Sequence, residues 1–264
     1  LTINNKLRIN LPEPERSLVP GKYKLKLWIF KEGNVYVTET DFTWGVLVIN
    51  FNKSIYKVND LAKFGIGAVD DYGRTVCDAV LDLDITSPSG EISSFSTNNG
   101  TINFGRDCGP NTVTNEPDYF GELGVNQTGT YKIKLRAETG NGTREITDKF
   151  EVQKNPDFEV ERIGTSRIYP PEGYKFLIRV KANKDFRGKV REVVPESFEV
   201  TAGTNSVQEV RNGGRTIEWS VDIKKGETQE LSYFFDAPDI SPELYKLGPL
   251  SLEPTVAGQT WWEA

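Results

Sequence analysis

The sequence predicts an all-β protein built from tandem β-sandwich domains. Short apolar runs with a two-residue period recur along the chain, and Gly, Asn, Pro and Asp separate them. Such alternation buries one face of a strand and leaves the other in water. Regularly spaced short strands of this kind are typical of sandwiches. The length of 264 residues suits two domains or slightly more.

The clearest strand pattern lies between residues 46 and 89. Ala79, Leu81, Leu83 and Ile85 place an apolar side chain at every second position, which predicts a strand with one buried face. The sequence Ser-Pro-Ser-Gly at 87–90 ends this strand, because Pro donates no ladder hydrogen bond. We therefore predict an edge strand, a turn, a long strand and a partner strand within 46–89.

An internal repeat predicts the domain organisation. The segment Gly-Lys-Tyr-Lys-Leu-Lys-Leu at 21–27 matches Gly-Thr-Tyr-Lys-Ile-Lys-Leu 108 residues further along the chain, and Phe42 matches Phe150 at the same offset. Both copies are predicted to be hairpins, and the offset is the size of one sandwich domain. Because only 20 residues precede the first copy, we predict the closing strands of an incomplete domain at 1–44. Complete sandwiches are predicted at 45–154 and 155–264.

The first complete sandwich resembles a known domain family. The segment Asn-Lys-Ser-Ile-Tyr-Lys-Val-Asn-Asp at 52–60 and the segment Asp-Ile-Thr-Ser-Pro-Ser-Gly at 84–90 resemble the opening strands of macroglobulin-like domains. That family usually has Pro-Gly where this chain has Asn59-Asp60. The resemblance covers about 45–153 and implies an immunoglobulin-like β-sandwich. The thioester sequence of protease-trapping macroglobulins is absent, since Gly-Pro-Asn follows Cys108.

The second sandwich resembles the conserved-repeat surface domains of bacteria and archaea. The shared features are Val-Val-Pro followed by Phe-x-Val at 193–200, a strand carrying Trp219, and Lys-Gly-Glu-Thr before an aromatic strand that ends in Ala-Pro at 237–238. The resemblance implies a cell-envelope setting. Trp219 alternates with Ile217, Val221 and Ile223, which predicts a core position.

Composition argues against several classes of function. The net charge of −6 disfavours a nucleic-acid partner, and no apolar run approaches the length that membrane insertion requires. The chain contains no His, so Ser-His, Cys-His and His-metal sites cannot form. Asp82 and Asp84 share one face of a strand, but no apolar pocket pattern surrounds them. We predict no enzymatic activity, no metal site and no cofactor.

Two cysteines, Cys77 and Cys108, lie in the same predicted domain. They form either a disulfide or two buried free thiols. We favour the disulfide, because both residues are expected at strand–loop junctions, and a disulfide implies an extracellular location. Sequons at Asn52, Asn99, Asn126 and Asn141 are compatible with that location.

Three places could contact a ligand or partner. The long polar segment at 91–120, which contains Asn111 and Asp118, is either a binding loop or a solvated loop. The pair Trp261-Trp262 either forms an exposed aromatic surface or buries one ring. Carboxylates at Glu116, Asp118 and Asp157 could gather calcium, although no known calcium-loop spacing is present.

Two functions remain in competition. The first is a structural or interaction segment of a long cell-surface protein, such as an adhesin, stalk or envelope fibre. Its partners would be neighbouring domains of the same parent chain or another surface protein. The alternative is a carbohydrate-binding or accessory module of a secreted enzyme, for which glycans would be the partners and an exposed aromatic platform would be needed.

Overall fold

The computed structural model confirms the all-β fold class, with sandwiches of mostly antiparallel strands. It describes residues 2–3, 6–7, 21–44, 47–70, 74–106, 108–109, 116–140, 142–165, 167–169, 171–203, 206–211, 214–240, 243–253 and 256–263. Side chains are described within these ranges except at 2, 3, 6, 7, 21, 22, 41–44, 211 and 256–263. Within the described ranges, no helix is long and apolar enough to cross a membrane.

The N-terminal part contains two separate strand pairs. They are β1 (Thr2–Ile3) with β2 (Lys6–Leu7), and β3 (Gly21–Lys31) with β4 (Asn34–Trp44). The second pair, which we call the N-terminal hairpin, turns at Glu32 and Gly33, whose φ angles are 51° and 78°. Two successive left-handed residues give the hairpin turn whose twist matches that of the flanking strands.

The first sandwich spans 47–153 and has two sheets. Its strands are β5 (Leu47–Phe51), β6 (Ile55–Lys57), β7 (Leu61–Ala68), β8 (Val80–Thr86), β9 (Ile92–Ser96), β10 (Asn103–Phe104), β11 (Tyr119–Gly124), β12 (Gly129–Thr139) and β13 (Gly142–Gln153). One sheet has the order β10-β11-β7-β5, and the other has the order β6-β13-β12-β8-β9. Strand β6 runs parallel to β13, whereas the other neighbours in both sheets are antiparallel.

Alternation builds the core of this sandwich. Leu81, Leu83 and Ile85 of β8 are at most 1% exposed and face the same core as Ile133 and Leu135 of β12. Tyr131 and Phe150 stack at 5.0 Å across the β12–β13 pair. Strands β8 and β12 are neighbours in one sheet, and the same core contains buried side chains of β7 from the other sheet. Burying one apolar side chain of this size stabilises a fold by about 1.5–3 kcal/mol, so this shared core holds the two sheets together.

Strand β5 departs from alternation because both of its faces are covered. Leu47, Ile49 and Phe51 belong to the core of the first sandwich, yet Val48 and Asn50 on the opposite face are only 3% and 5% exposed. A near-continuous apolar run is the sequence pattern of a strand buried on both sides. The cover on the outer face comes from the second sandwich.

The second sandwich spans 158–263. Its strands are β14 (Phe158–Ile163), β15 (Gly173–Ala182), β16 (Phe186–Pro195), β17 (Glu199–Ala202), β18 (Ser206–Arg211), β19 (Gly214–Ile223), β20 (Thr228–Asp236), β21 (Tyr245–Glu253) and β22 (Val256–Glu263). The sheets have the orders β14-β15-β20-β17 and β18-β19-β16-β21-β22. Trp219 is 3% exposed in the core, as its alternation predicts, and β22 lies against β5 of the first sandwich.

Candidate functional site

Hydrogen bonds and ion pairs gather at the junction between the two sandwiches. It is formed by the loop after β5, the outer face of the β10-β11-β7-β5 sheet, strand β14 and the loop that follows β14. The loop after β5, the residue before β11, strand β14 and the loop after β14 each contribute a charged or amide side chain to the contact. The junction therefore depends on polar pairing as well as on the apolar cover over β5.

Asn52 is the central residue of the junction. Its side-chain oxygen accepts hydrogen bonds from the Tyr56 hydroxyl at 2.7 Å and from the Lys63 backbone N–H at 3.2 Å. Its Nδ2 donates to Glu161 Oε1 at 3.1 Å, and its carbonyl accepts the Arg162 backbone N–H at 3.0 Å. Asn52 thus ties the first sandwich to β14 through both side chain and backbone.

The hydrogen bond from the Asn52 side-chain amide to Glu161 involves the atom that a glycan at this sequon would modify. A glycan would replace one of the two hydrogens on Nδ2 and place a sugar beside Glu161, so glycosylation of Asn52 would crowd this contact. Asn99 and Asn126 are exposed and could carry glycans without disturbing these contacts. Asn141 lies outside the described residues.

Lys53 adds an electrostatic contact beside Asn52. Its Nζ lies 3.0 Å from Asp60 Oδ2 and 3.4 Å from Glu159 Oε2 in the other sandwich. Burial alone would raise the pKa of Glu159. Hydrogen bonds from Lys181 and Asn183, together with the charge of Lys53, instead lower that pKa below its usual value. The carboxylate therefore stays ionised and paired across the physiological pH range.

Asp118, predicted as a possible ligand contact, lies inside the junction. Its side chain is 2% exposed, and Oδ1 is 3.3 Å from Nη2 of Arg167, which is 9% exposed. Burial raises the pKa of Asp118, and the nearby Arg167 partly offsets this effect. The carboxylate therefore contacts the neighbouring sandwich rather than the solvent.

Arg162 extends from the junction into the second sandwich. Its side chain is fully buried, is paired with Glu192, and lies over the Phe176 ring at 5.2 Å. Burial raises the pKa of Glu192 to about 7, against the opposing effect of the Arg162 charge. Sequence reasoning missed this pair, although a signal was present. Arg162 continues the alternation of Phe158 and Val160, and Glu192 stands between Val190 and Val194.

A cleft of about 730 Å³ opens beside these contacts. Its lining includes Asn50, Lys63, Phe120 and Glu122 on the first sandwich, and Ile163 on the second. Gly65 lines the cleft at a position with no space for a side chain, because a Cβ there would lie 2.8 Å from the Pro117 ring. Part of the predicted binding segment therefore lines an interdomain cleft, through Thr101, Asn103, Glu116 and Pro117.

A disulfide holds the segment that leads to the cleft. Cys77 and Cys108 are joined, with a Cα–Cα distance of 5.8 Å. Beside them, the Tyr119 hydroxyl donates to the Val76 carbonyl at 2.6 Å and accepts from the Ala79 N–H at 3.0 Å. These bonds fix the start of β11, which carries Phe120 into the cleft.

Three of the remaining predicted site residues lie wholly or partly outside the description. Asn111 lies outside the described residues. Trp261 and Trp262 belong to β22, which pairs with β21, but their side chains lie outside the description. Among the described residues, no group of three or more possible ligands could hold a metal ion. Asp157, one of the suggested calcium ligands, instead pairs with Lys184.

Comparison with known proteins identifies no family. No family model matches the chain, and no curated protein matches it. Solved structures with some similarity include a DUF4785 family protein from Legionella pneumophila, with 12% identity and a TM-score of 0.27. Elastase-activated alpha-2-macroglobulin from Escherichia coli has 13% identity and a TM-score of 0.30. The collagen binding domain of an Erysipelothrix rhusiopathiae surface protein has 12% identity and a TM-score of 0.27.

The alignments cover most of this chain but differing parts of the other proteins. They cover 89%, 92% and 83% of this chain, in the same order, and 62%, 24% and 94% of the three matched chains. The chain thus spans less than two thirds of the first two. At these identities and TM-scores, the similarity carries no argument about ligand, partner or activity.

Proposed function

We propose that the chain is a structural and interaction segment of an extracellular cell-surface protein, such as an adhesin, stalk or envelope fibre. Its task is to hold two sandwiches in a fixed relation, so that the chain spaces or displays other surfaces. It performs no turnover chemistry. The observation that carries the proposal is the junction, where Asn52, Lys53 and Asp118 of one sandwich bond to the other.

The junction supports this function through its burial. Contacts between domains of one chain are usually polar and allow relative motion. Here Asp118 and Arg167 are almost fully enclosed, and separating the sandwiches would break their pairing. Opening the junction would return these two charges to water, but it would also break the Asn52–Glu161 and Lys53–Glu159 contacts and uncover the outer face of β5. Several contacts must therefore open together, which suits a spacer better than a hinge.

Nuclear magnetic resonance provides the experiment for rigidity. ¹⁵N relaxation and residual dipolar couplings on the whole chain are expected to fit a single alignment tensor and a single tumbling rate for both sandwiches. A matched control lengthens the connection at 154–157 with Gly and Ser residues. If the natural chain already shows two independent tensors, the proposal of a fixed spacer is wrong.

The extracellular setting rests on the disulfide. Persistent disulfides are characteristic of oxidising compartments, and Cys77 and Cys108 are the only cysteines in the chain. Protein secreted by a host is expected to show no alkylatable thiol when unfolded without reductant, and two after reduction. Intact mass measures both states, and two free thiols in the unreduced protein would remove this support.

A second candidate function is binding of a short carbohydrate in the interdomain cleft. Phe120 is 39% exposed there, and the cleft combines this ring with amide and charged side chains at Asn50, Lys63 and Glu122. An apolar surface with a few convergent polar groups is typical of ligand sites. Titration with an oligosaccharide panel, followed by chemical shifts, tests the idea.

The variant Phe120→Ala is expected to remove such binding. Phe104→Ala is the matched control, because that ring is exposed on the neighbouring strand β10 but does not line the cleft. Equal effects of both changes, or no shifts with any sugar, would rule out the second candidate. Hydrolysis of a panel member would contradict the absence of turnover.

A further inference from the structure

The N-terminal hairpin and the β12–β13 hairpin of the first sandwich share one register. Lys31 pairs with Asn34 at the end of the first hairpin, and Thr139 pairs with Gly142 at the end of the second. Tyr23 opposes Phe42, as Tyr131 opposes Phe150. Each residue of one hairpin therefore has a matched residue in the other, 108 positions later.

One face of the hairpins is apolar in both copies. In the second hairpin this face carries Ile133 and Leu135, which are buried in the core. The matched residues, Leu25 and Leu27, are half-buried. This face is thus the side that a sandwich needs for its own core.

The opposite face differs between the copies. In the second hairpin, Arg136, Glu138, Thr143 and Glu145 are exposed polar residues. The matched residues of the N-terminal hairpin are Trp28, Phe30, Val35 and Val37, which we call the tip patch. They are 52%, 76%, 53% and 51% exposed. Folding of a sandwich leaves this face in water, so the exposed apolar patch indicates a partner.

Charged residues border the tip patch on one side. Lys26 Nζ lies 2.8 Å from Glu39 Oε1, and Lys24 Nζ lies 3.4 Å from Glu39 Oε2. Lys26 also lies over the Trp28 ring at 5.4 Å. Strand β3 thus carries the positive charges of this border, and β4 carries the negative one. The apolar centre with a charged border is the composition of a protein–protein contact.

We propose that the tip patch binds the tip patch of a second copy of this chain. Two hairpins that pack face to face about a two-fold axis parallel to their strands place β3 of each copy over β4 of the other. Trp28 then packs on the partner's Val37, and Phe30 packs on the partner's Val35. Lys26 faces the partner's Glu39, and the same contact repeats by symmetry.

Charge complementarity selects this occupant. The two charged strands exchange places across the axis, so opposite charges meet twice and like charges do not face each other. A two-fold contact requires a self-complementary surface of this kind. The arrangement brings both copies together side by side with their hairpins parallel, which would couple two chains along a surface fibre.

Analytical ultracentrifugation of the whole chain over a range of concentrations tests the proposal, with the molar mass of the particle as the measurement. The natural protein is expected to reach twice the monomer mass. The variant W28R/F30E/V35T/V37E places on the tip the residues that the second hairpin holds in the same register, and it is expected to dimerise at least about tenfold more weakly. Tyr36→Arg, matched to Arg144 on the core-type face, is the control and should retain the dimer.

A charge exchange tests the two-fold pairing. Lys26→Glu and Glu39→Lys each place like charges opposite one another and are each expected to weaken the homodimer. Mixing the two variants should restore dimers, because Glu at 26 of one chain then faces Lys at 39 of the other. The pairing within each hairpin stays broken in both variants, so it cannot account for rescue.

Three outcomes would overturn the proposal. They are a natural chain that stays monomeric to millimolar concentration, a Tyr36→Arg variant that loses the dimer while the tip variant keeps it, and mixtures that show no rescue. A monomer that instead co-sediments with phosphatidylcholine vesicles through Trp28 and Phe30 would assign the patch to a lipid surface. Far-UV circular dichroism of every variant checks that the strands are retained.

Discussion

The second sandwich contributes two arginines to buried ion pairs, and the two pairs differ in where the acidic partner lies. Arg162 meets Glu192 inside the second sandwich, where both side chains are fully buried. Arg167 meets Asp118 of the first sandwich, and both are nearly buried. The first pair must form when one sandwich folds, whereas the second forms only when two sandwiches dock.

This difference teaches how the two pairs contribute to stability. A buried ion pair loses much hydration free energy, so its net contribution can be small even when removal of one partner is very costly. For Arg162 and Glu192, removal of one partner lowers the free energy of unfolding of the second sandwich. For Arg167 and Asp118, opening of the junction can return both charges to water, which limits the cost.

The largest expected effect is that of Glu192→Ala. The change leaves the Arg162 guanidinium buried without its carboxylate, and breaking such a pair costs about 3–5 kcal/mol. Denaturant unfolding, with hydrogen exchange of β15 amides as the local probe, should show this loss in the second sandwich. The double variant Arg162→Met, Glu192→Leu replaces the pair by apolar side chains and should recover most of the loss. A double variant as unstable as the single one would contradict this account.

The pH dependence of the second sandwich is expected to be next in size. Burial raises the pKa of Glu192 to about 7 from its ordinary value of 4.5. The folded state then binds more protons than the unfolded state between these values, so the free energy of unfolding falls as pH rises through that window. The effect is on the order of a few kcal/mol.

Unfolding measured from pH 4 to pH 8 checks this direction. Glu192→Gln lacks the titrating group and should show a flatter profile between pH 4.5 and 7 than the natural chain. A free energy of unfolding that rises with pH in that window only when Glu192 is present would show the opposite sign and refute the assignment.

Asp118→Ala is expected to have a smaller effect, confined to the junction. Arg167 loses its partner but can gain water as the sandwiches separate, so we expect a loss of about 1–2 kcal/mol from docking. Hydrogen exchange should increase at β5, whose outer face the second sandwich covers, while β15 amides change little. A loss in β15 as large as that of Glu192→Ala would show that the two pairs do not differ as proposed.

Lys53→Met should have the smallest effect. The Lys53 side chain is 17% exposed and reaches Asp60 and Glu159, so we expect a loss below about 1 kcal/mol that diminishes at high salt. Lys134→Met is the matched control, because Lys134 is 57% exposed in its pair with Glu145 and should change stability hardly at all. Equal losses for both variants would show that the Lys53 contacts contribute nothing specific.

Local sequence patterns predicted the fold because each strand shows an alternation of apolar and polar residues over only a few positions. The alternating apolar residues of β8 and β19 predicted these strands without any knowledge of the tertiary structure. The repeat of Gly21-Lys-Tyr at Gly129-Thr-Tyr predicted two hairpins, and their registers match. Arg162 and Glu192 were also detectable, since each stands in the apolar phase of its strand.

The junction could not be predicted in the same way. Asn52 lies 109 residues from Glu161, and Asp118 lies 49 from Arg167. Nothing in either local pattern specifies which charge faces which, because pairing depends on how one sandwich is placed on the other. The outer face of β5 is the exception, since the apolar run at 46–49 signals a cover on both sides.

Because the second sandwich covers the outer face of β5, that face stays exposed during synthesis until the second sandwich has been translated. A ribosome translates the first sandwich before the second, and at about 5–20 residues per second the remaining hundred or so residues take roughly 5–20 s. During that interval the outer face of β5, which includes the apolar side chain of Val48, is exposed and can form hydrophobic contacts with other nascent chains. Conditions that slow elongation through 158–263 should therefore raise aggregation, and a chaperone that shields the outer face of β5 should lower it.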